Sequence, residues 1–149
     1  MRAVVQRVLQ AVCRVNGQVS GQIQKGLLVF VGISPDDAAA DTAYLADKIA
    51  HLRIFEDAAG RMNLDVQQTG GGILLISQFT LYGDCRRGRR PDFTAAAKAE
   101  QARQGYEQLI AALRSMNVPV ETGVFAEQME IDCLQDGPVT ILLDSKRLF

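Results

Sequence analysis

Leu27, Leu28, Val29, Phe30, Val31, Gly32 and Ile33 follow Lys25 and Gly26 with no polar side chain among them. A strand with one wet face alternates apolar and polar residues; this one does not, so both of its faces are covered and it lies inside a sheet. Upstream, valine-rich Arg2 to Val8 reads as an opening strand. Ala11 to Val15 and Gln18 to Ile23 flank Asn16 and Gly17, a pair suited to the positive φ angles of a type I′ turn, which predicts a hairpin. Downstream, Ser34, Pro35, Asp36 and Asp37 supply a cap, a first-turn proline and two carboxylates for the positive end of a helix running to about His51. Its apolar positions are Ala39, Ala43, Ala46, Ile49, Ala50 and Leu52, mostly small enough to lie close against a sheet.

Short strands are predicted over Arg53 to Glu56 and Met62 to Val66, around a turn at Asp57 to Gly60. Gly70, Gly71 and Gly72 precede a second buried strand, Ile73 to Phe79; with no following Lys-Ser/Thr and helix, they read as a turn rather than a phosphate-binding loop. Thr80 to Phe93 reads as a loop, and Ala95 to Met116 as the longest helix, with Ala99, Ala102, Tyr106, Leu109, Ile110 and Leu113 on one apolar stripe. Val118 to Thr122 reads as an edge strand because Pro119 cannot donate to a ladder. Met129 to Leu134 and Val139 to Asp144 read as a hairpin about Asp136 and Gly137. This pattern is α+β: a single domain over 1–149, with a mixed, mainly antiparallel sheet and two main helices.

The 149 residues are 48% apolar and 22% charged, which excludes disorder and fibrous repeats and suffices for a core without metal or disulfide staples. No apolar stretch approaches a membrane span, and Arg2, Gln6 and Arg7 argue against a signal-peptide core, so a cytoplasmic protein without membrane contact is expected. Cys13, Cys85 and Cys133 are widely spaced and only His51 could join them, so no metal site or cofactor is expected. The net charge of −1 leaves nucleic-acid affinity to a local patch. Arg86, Arg87, Arg89 and Arg90 form such a patch, or else a solvated loop.

Familiar catalytic sets are missing: there is no G-x-S-x-G, no H-E-x-x-H and no H-x-E with C-x-x-C. His51 suits a helix end better than a catalytic role, and Cys85 reads as a bystander thiol rather than a nucleophile lowered by its arginines. Two segments remain. In Ser77, Gln78, Phe79, Thr80 and Leu81 a buried strand runs into hydroxyl and amide groups, where backbone N–H groups lose their ladder partners and can face a ligand; a plain polar strand end is the other reading. Gly137, Pro138, Val139 and Thr140 are either a hairpin turn or a place for a cis X–Pro bond.

Together, S-Q-F-T-L at Ser77 to Leu81 and G-P-V-T at Gly137 to Thr140 resemble the two signature motifs of the D-aminoacyl-tRNA deacylases. The similarity takes in Val5, Gln6, Arg7 and Val8; Arg53, Ile54 and Phe55; Met62, Asn63 and Leu64; Gln67 and Gln68 with the glycines; and Arg87, Gly88, Arg89, Arg90 and Pro91. It implies a barrel-like β core and a homodimeric, cytosolic, metal-free hydrolase with active sites at the subunit interface. The reaction it implies is chiral proofreading: the ester of D-aminoacyl-tRNA, and of glycyl-tRNA, is cut while L-aminoacyl-tRNA is rejected. Ser77 to Leu81 are then the catalytic segment, binding the terminal adenosine and the ester carbonyl. Gly137 and Pro138, with Val139 and Thr140, form a cis dipeptide motif that enters the partner's pocket, braced by Arg7. Phe125 and Met129, otherwise ordinary core residues, help line the pocket. Arg86, Arg87, Arg89 and Arg90 contact phosphates of the tRNA acceptor end. Thr80 is the obvious nucleophile, but no adjacent base activates it, so positioning, backbone electrostatics and the substrate's ribose 2′-OH are expected to carry the reaction. The resemblance leaves two rivals: an RNA-binding module without turnover, and a related deacylase with a different choice of mischarged tRNA.

Overall fold

A computed structural model describes residues 1–148. The chain orders as β1 (Arg2–Val15), β2 (Gln18–Ile23), β3 (Gly26–Gly32), α1 (Ala39–Ala50), β4 (Phe55–Glu56), β5 (Met62–Leu64), β6 (Gly72–Ser77), a single 3-10 turn (Phe79–Tyr82), α2 (Ala99–Ser115), β7 (Val120–Thr122) and β8 (Glu130–Asp144). The main sheet runs β2-β1-β3-β6-β7, with β8 on the other edge of β1. β1 is antiparallel to β2, β3 and β8, whereas β3–β6 and β6–β7 are parallel. The sheet curls towards closure where β2 meets β7: a Cβ on Gly21 would lie 2.5 Å from the Thr122 carbonyl oxygen.

β3 is interior, as its unbroken apolar run requires. Leu27, Val29 and Val31 join Ile73 and Leu75 in a core covered by α1 and α2. Leu28 and Leu74 face the other way, into a second cluster with Val8, Ala11, Cys13, Ile23 and Ile76. Gly26 is needed at the parallel seam, since a Cβ there would sit 1.9 Å from the Gly72 carbonyl oxygen.

Expectations are corrected in three places: at α1, at α2 and at the C-terminal strands. Helix α1 starts at Ala39 and not at Ser34: the Asp41 carboxylate accepts from the Ala38 amide at 2.9 Å and so closes the first turn there, while Asp37 accepts from the Ser34 amide and the Met1 ammonium. The face of α1 that is buried includes Asp41 and Thr42, whereas Ala39 and Ala43 are exposed. Burial by itself pushes the Asp41 pKa up, but hydrogen bonds from Lys146 and the Ala38 amide outweigh it and hold the group well below the ordinary carboxylate range. Helix α2 starts at Ala99 rather than Ala95.

The third correction reshapes the C-terminus. Met129 to Leu134 and Val139 to Asp144 are not a hairpin; both halves belong to β8, which pairs with β1 along its length. Gln6 pairs with Thr140 and Val8 with Gln135, so Arg7 faces four residues, 136–139. This is an enlarged β-bulge, and the Gly137–Pro138 peptide within it is cis. Turn residues at 136 and 137 are as compatible with a bulge as with a hairpin, and the long β1 decides between them by offering ladder partners on both sides of the bulge.

Candidate active site

A cleft of about 540 Å³ opens where the carboxyl ends of β3 and β6 meet the start of α2. Val31, Ile33 and Ile76 line its inner end, and Ser77, Gln78 and Phe79 form one wall. Phe125, Ala126, Glu127, Met129 and Ile131 face them, while Ala97, Ala99 and Ala102 leave room through their small side chains. Ser77, Gln78 and Phe79 of the first sequence motif thus meet both expected lining residues, Phe125 and Met129, in one cavity, whereas Thr80 and Leu81 are not among its lining residues.

Strand β6 ends because the chain turns: the Gln78 amide donates to the Val31 carbonyl at 2.7 Å, and the next residues tighten into the 3-10 turn. A helical turn leaves its first amides without an acceptor. Among the described residues, no carbonyl or side chain accepts from the Phe79 and Thr80 amides. The ring of Phe79 is held edge-on to Phe93 at 5.1 Å. Phe125 is backed by Tyr106 at 5.9 Å, whose hydroxyl donates to the Leu75 carbonyl at 2.7 Å. Burial raises the pKa of that hydroxyl, which stays protonated as a donor.

Thr80 is exposed, and its Oγ1 accepts a hydrogen bond from the Gln78 side-chain amide. No hydrogen bond among the described residues joins its hydroxyl to a carboxylate or imidazole. His51 lies at the end of α1, bound to Asp47. Among the described residues, no three His, Cys, Asp or Glu side chains converge as a metal site would require. Beside this apolar wall the turn thus holds two backbone N–H groups with no protein acceptor, the kind of donor that can stabilise a developing oxyanion.

The second motif is elsewhere. Gly137, Pro138 and Thr140 are exposed on β8, and Val139 is half-buried against the core. Along β8, Gly137 is six residues beyond Ile131, the last cleft residue, or about 20 Å at strand rise. Arg7 is buried directly opposite and donates to the Ile54 carbonyl at 2.6 Å and to the Asp136 carbonyl at 3.2 Å. A Cβ on Gly137 would meet the Val139 Cγ2 at 2.8 Å and the Arg7 Nη2 at 3.3 Å, and its φ of 121° is closed to L side chains.

The basic loop is pinned by the Asp84–Asp92 bridge. Arg86 differs from its neighbours. Its guanidinium is bound to Asp84 at 2.6 Å, and hydrogen bonding from Arg86 draws the Asp84 carboxyl down to about 2. Arg87, Arg89 and Arg90 are exposed and have no ion-pair partner among the described residues. Sequence reasoning missed Glu127, Phe93 and the alanine side of the cleft. Ala99 and Ala102 were read only as part of the apolar stripe of α2, and nothing local marks Phe93 as the partner of Phe79.

A family model described as D-Tyr-tRNA(Tyr) deacylase matches residues 4–144. The chain is 54% identical to the D-aminoacyl-tRNA deacylase of Syntrophobacter fumaroxidans and 56% identical to that of Anaeromyxobacter dehalogenans, in both cases over 100% of each chain. A solved structure described as c-Myc DNA unwinding element binding protein superposes with a TM-score of 0.92 at 37% identity, covering 97% of this chain and 98% of the other. A probable eukaryotic D-amino acid tRNA deacylase, 16% identical, shares the fold with a TM-score of 0.81 over 95% and 97% of the two chains. With relatives this similar along its whole length, the protein is an enzyme of the hydrolase class. It belongs to the D-aminoacyl-tRNA deacylase family, whose proofreading reaction frees a tRNA from a D-amino acid.

Proposed function

We propose that the cleft holds the 3′-terminal adenosine of D-aminoacyl-tRNA, with the ester carbonyl facing the Phe79 and Thr80 amides and the amino acid facing a Gly137–Pro138 dipeptide from a second subunit. The observation that carries this reading is the separation of the two motifs within one chain. The dipeptide projects from a strand of 15 residues whose outer edge has no partner among the described residues and which exposes Leu134 and Leu142. Long apolar edges of this kind are ordinarily covered, and a two-fold pairing would cover this one while carrying each dipeptide to the other cleft.

In that homodimer the rigid dipeptide leaves space for hydrogen where an L-residue would place its side chain. Steric exclusion of this kind rejects L-aminoacyl esters more strongly than a missing contact could, but it cannot reject glycine, so glycyl-tRNA is also cleaved. Catalysis comes from positioning, from the backbone donors and from the ribose 2′-OH next to the scissile bond, with Thr80 as a binding group. Arg87, Arg89 and Arg90 contact acceptor-end phosphates and so position the tRNA, in the cytoplasm.

Hydrolysis of matched D-tyrosyl-, L-tyrosyl- and glycyl-tRNA by metal-depleted protein tests the reading, with Gly137→Ala alongside. Cleavage of the D and glycyl esters but not the L ester is expected, with Gly137→Ala impaired on the D ester. Binding without cleavage of any ester would instead make the protein an RNA-binding module. Equal cleavage of D and L esters would remove the chiral role of the dipeptide.

A further inference from the structure

The turn that carries the ester-facing amides is held from beneath by a residue outside both motifs. Arg2 and Gly32 are register partners on β1 and β3, and both lie under this turn. A Cβ on Gly32 would be 3.0 Å from the Gln78 carbonyl oxygen and 3.1 Å from the Tyr82 ring, so the turn rests almost directly on the strand backbone. Beside it, the Arg2 Nη1 donates to the Leu81 carbonyl at 3.2 Å, and the Arg2 guanidinium carbon sits 4.6 Å from the Tyr82 ring centroid. The other side of the guanidinium is fixed: Nε is 3.0 Å from Oδ2 of Asp144, a buried carboxylate. Among the described residues, Arg2 is the one side chain that hydrogen-bonds to the backbone of this turn.

We propose that Arg2 is a positioning residue for ester hydrolysis, clamping the Phe79–Tyr82 turn through the Leu81 carbonyl and the Tyr82 ring from its anchor on Asp144. A planar fork with several donors can bond the carboxylate and the carbonyl together while stacking on the ring, which a lysine cannot do. The amides of Phe79 and Thr80 lie two and one residues before Leu81, so a turn that loses its clamp presents them to the ester at a changed angle. Misplacement of about 1 Å costs on the order of 100-fold in rate. The partners of the guanidinium, Leu81, Tyr82 and Asp144, are not among the residues lining the cleft, so substrate affinity should be spared. The proposal rests on the reading that the turn amides face the ester.

The test is single-turnover hydrolysis of D-tyrosyl-tRNA by the full chain carrying Arg2→Met or Arg2→Lys, with half-saturating enzyme concentration and melting temperature recorded in parallel. For Arg2→Met the maximal rate falls about 10- to 100-fold while half-saturation moves less than about threefold. Arg2→Lys recovers part of the rate, and it keeps the test open should Arg2→Met fail to fold. A lower melting temperature with an unchanged maximal rate would make Arg2 merely structural. A loss confined to half-saturation would place it in binding. Either result overturns the proposal. Phe79→Pro, run beside them, tests the underlying reading separately: full activity in that variant would remove the Phe79 amide from catalysis whatever the Arg2 variants do.

Discussion

Arg7 and Asp136 are joined twice: the guanidinium Nε donates to the Asp136 carbonyl at 3.2 Å and lies 3.0 Å from its carboxylate. A third bond, at 2.6 Å to the Ile54 carbonyl, ties this pair to the chain just before β4. The bulge that presents Gly137 and Pro138 is thereby fixed at its first residue by a buried cation. Arg7→Met leaves two backbone carbonyls without their donor, at about 1–3 kcal/mol each where they stay dry. Chemical denaturation should show a loss of that order, together with reduced D-ester cleavage. Arg7→Lys should recover little, because an ammonium cannot match the fork. Unchanged stability and activity in Arg7→Met would show that the bulge holds itself.

Phe79→Pro removes one amide donor at the first position of the turn, where proline is sterically tolerated. Its expected loss is about 100- to 1,000-fold in maximal rate, as for deletion of a single oxyanion donor. Phe79→Ala keeps the amide and loses only the contact with Phe93, so it should retain most of the rate. Thr80→Ala likewise should lose no more than about tenfold, the worth of one hydrogen bond. Complete loss in folded Thr80→Ala would restore the side-chain nucleophile.

Salt dependence separates the arginines. Neutralising Arg87, Arg89 and Arg90 together should flatten the slope of log K against log salt by about 2–3, near 0.7–0.9 per phosphate contact. Arg86→Ala should change it little, since Asp84 already occupies that guanidinium. Equal effects from the two variants would contradict this division.

Acid stability should report on Asp41. Its pKa is lower in the folded protein than the ordinary 3.8, so its contribution is present above that value and lost as pH falls toward the folded pKa. Lys146, 2.8 Å away, supplies the largest lowering interaction. Lys146→Met should raise the pH of acid unfolding followed by circular dichroism. An identical acid limb in both proteins would show that the ion pair does not govern it.

How much of this was legible in the sequence depended on whether the cause was local. The unbroken apolar run at Leu27 to Val31 identified an interior strand, and Asn16-Gly17 identified a turn, with φ angles of 51° and 76°. The start of α1 was not legible: Asp37, read as a first-turn carboxylate, is tied instead to the Met1 ammonium, 36 residues away in sequence. The bulge at 136–139 was hidden for the same reason, since its ladder partners lie in β1 at the other end of the chain. In the cleft, Ser77 and Gln78 stood out as polar residues ending an apolar strand, whereas Glu127, and Phe93 behind Phe79, acquire their places only through tertiary packing.

The central claim is that a working site takes its turn from one subunit and its dipeptide from the other. Mixing two impaired proteins, Gly137→Ala and Phe79→Pro, after unfolding and refolding tests this most directly. A mixed dimer then contains one site with a native turn facing a native dipeptide, and one site with both defects. D-tyrosyl-tRNA cleavage should reappear in the mixture and track the fraction of mixed dimer. A mixture no more active than the average of its two parents, with mixed dimers demonstrably present, would contradict the shared site.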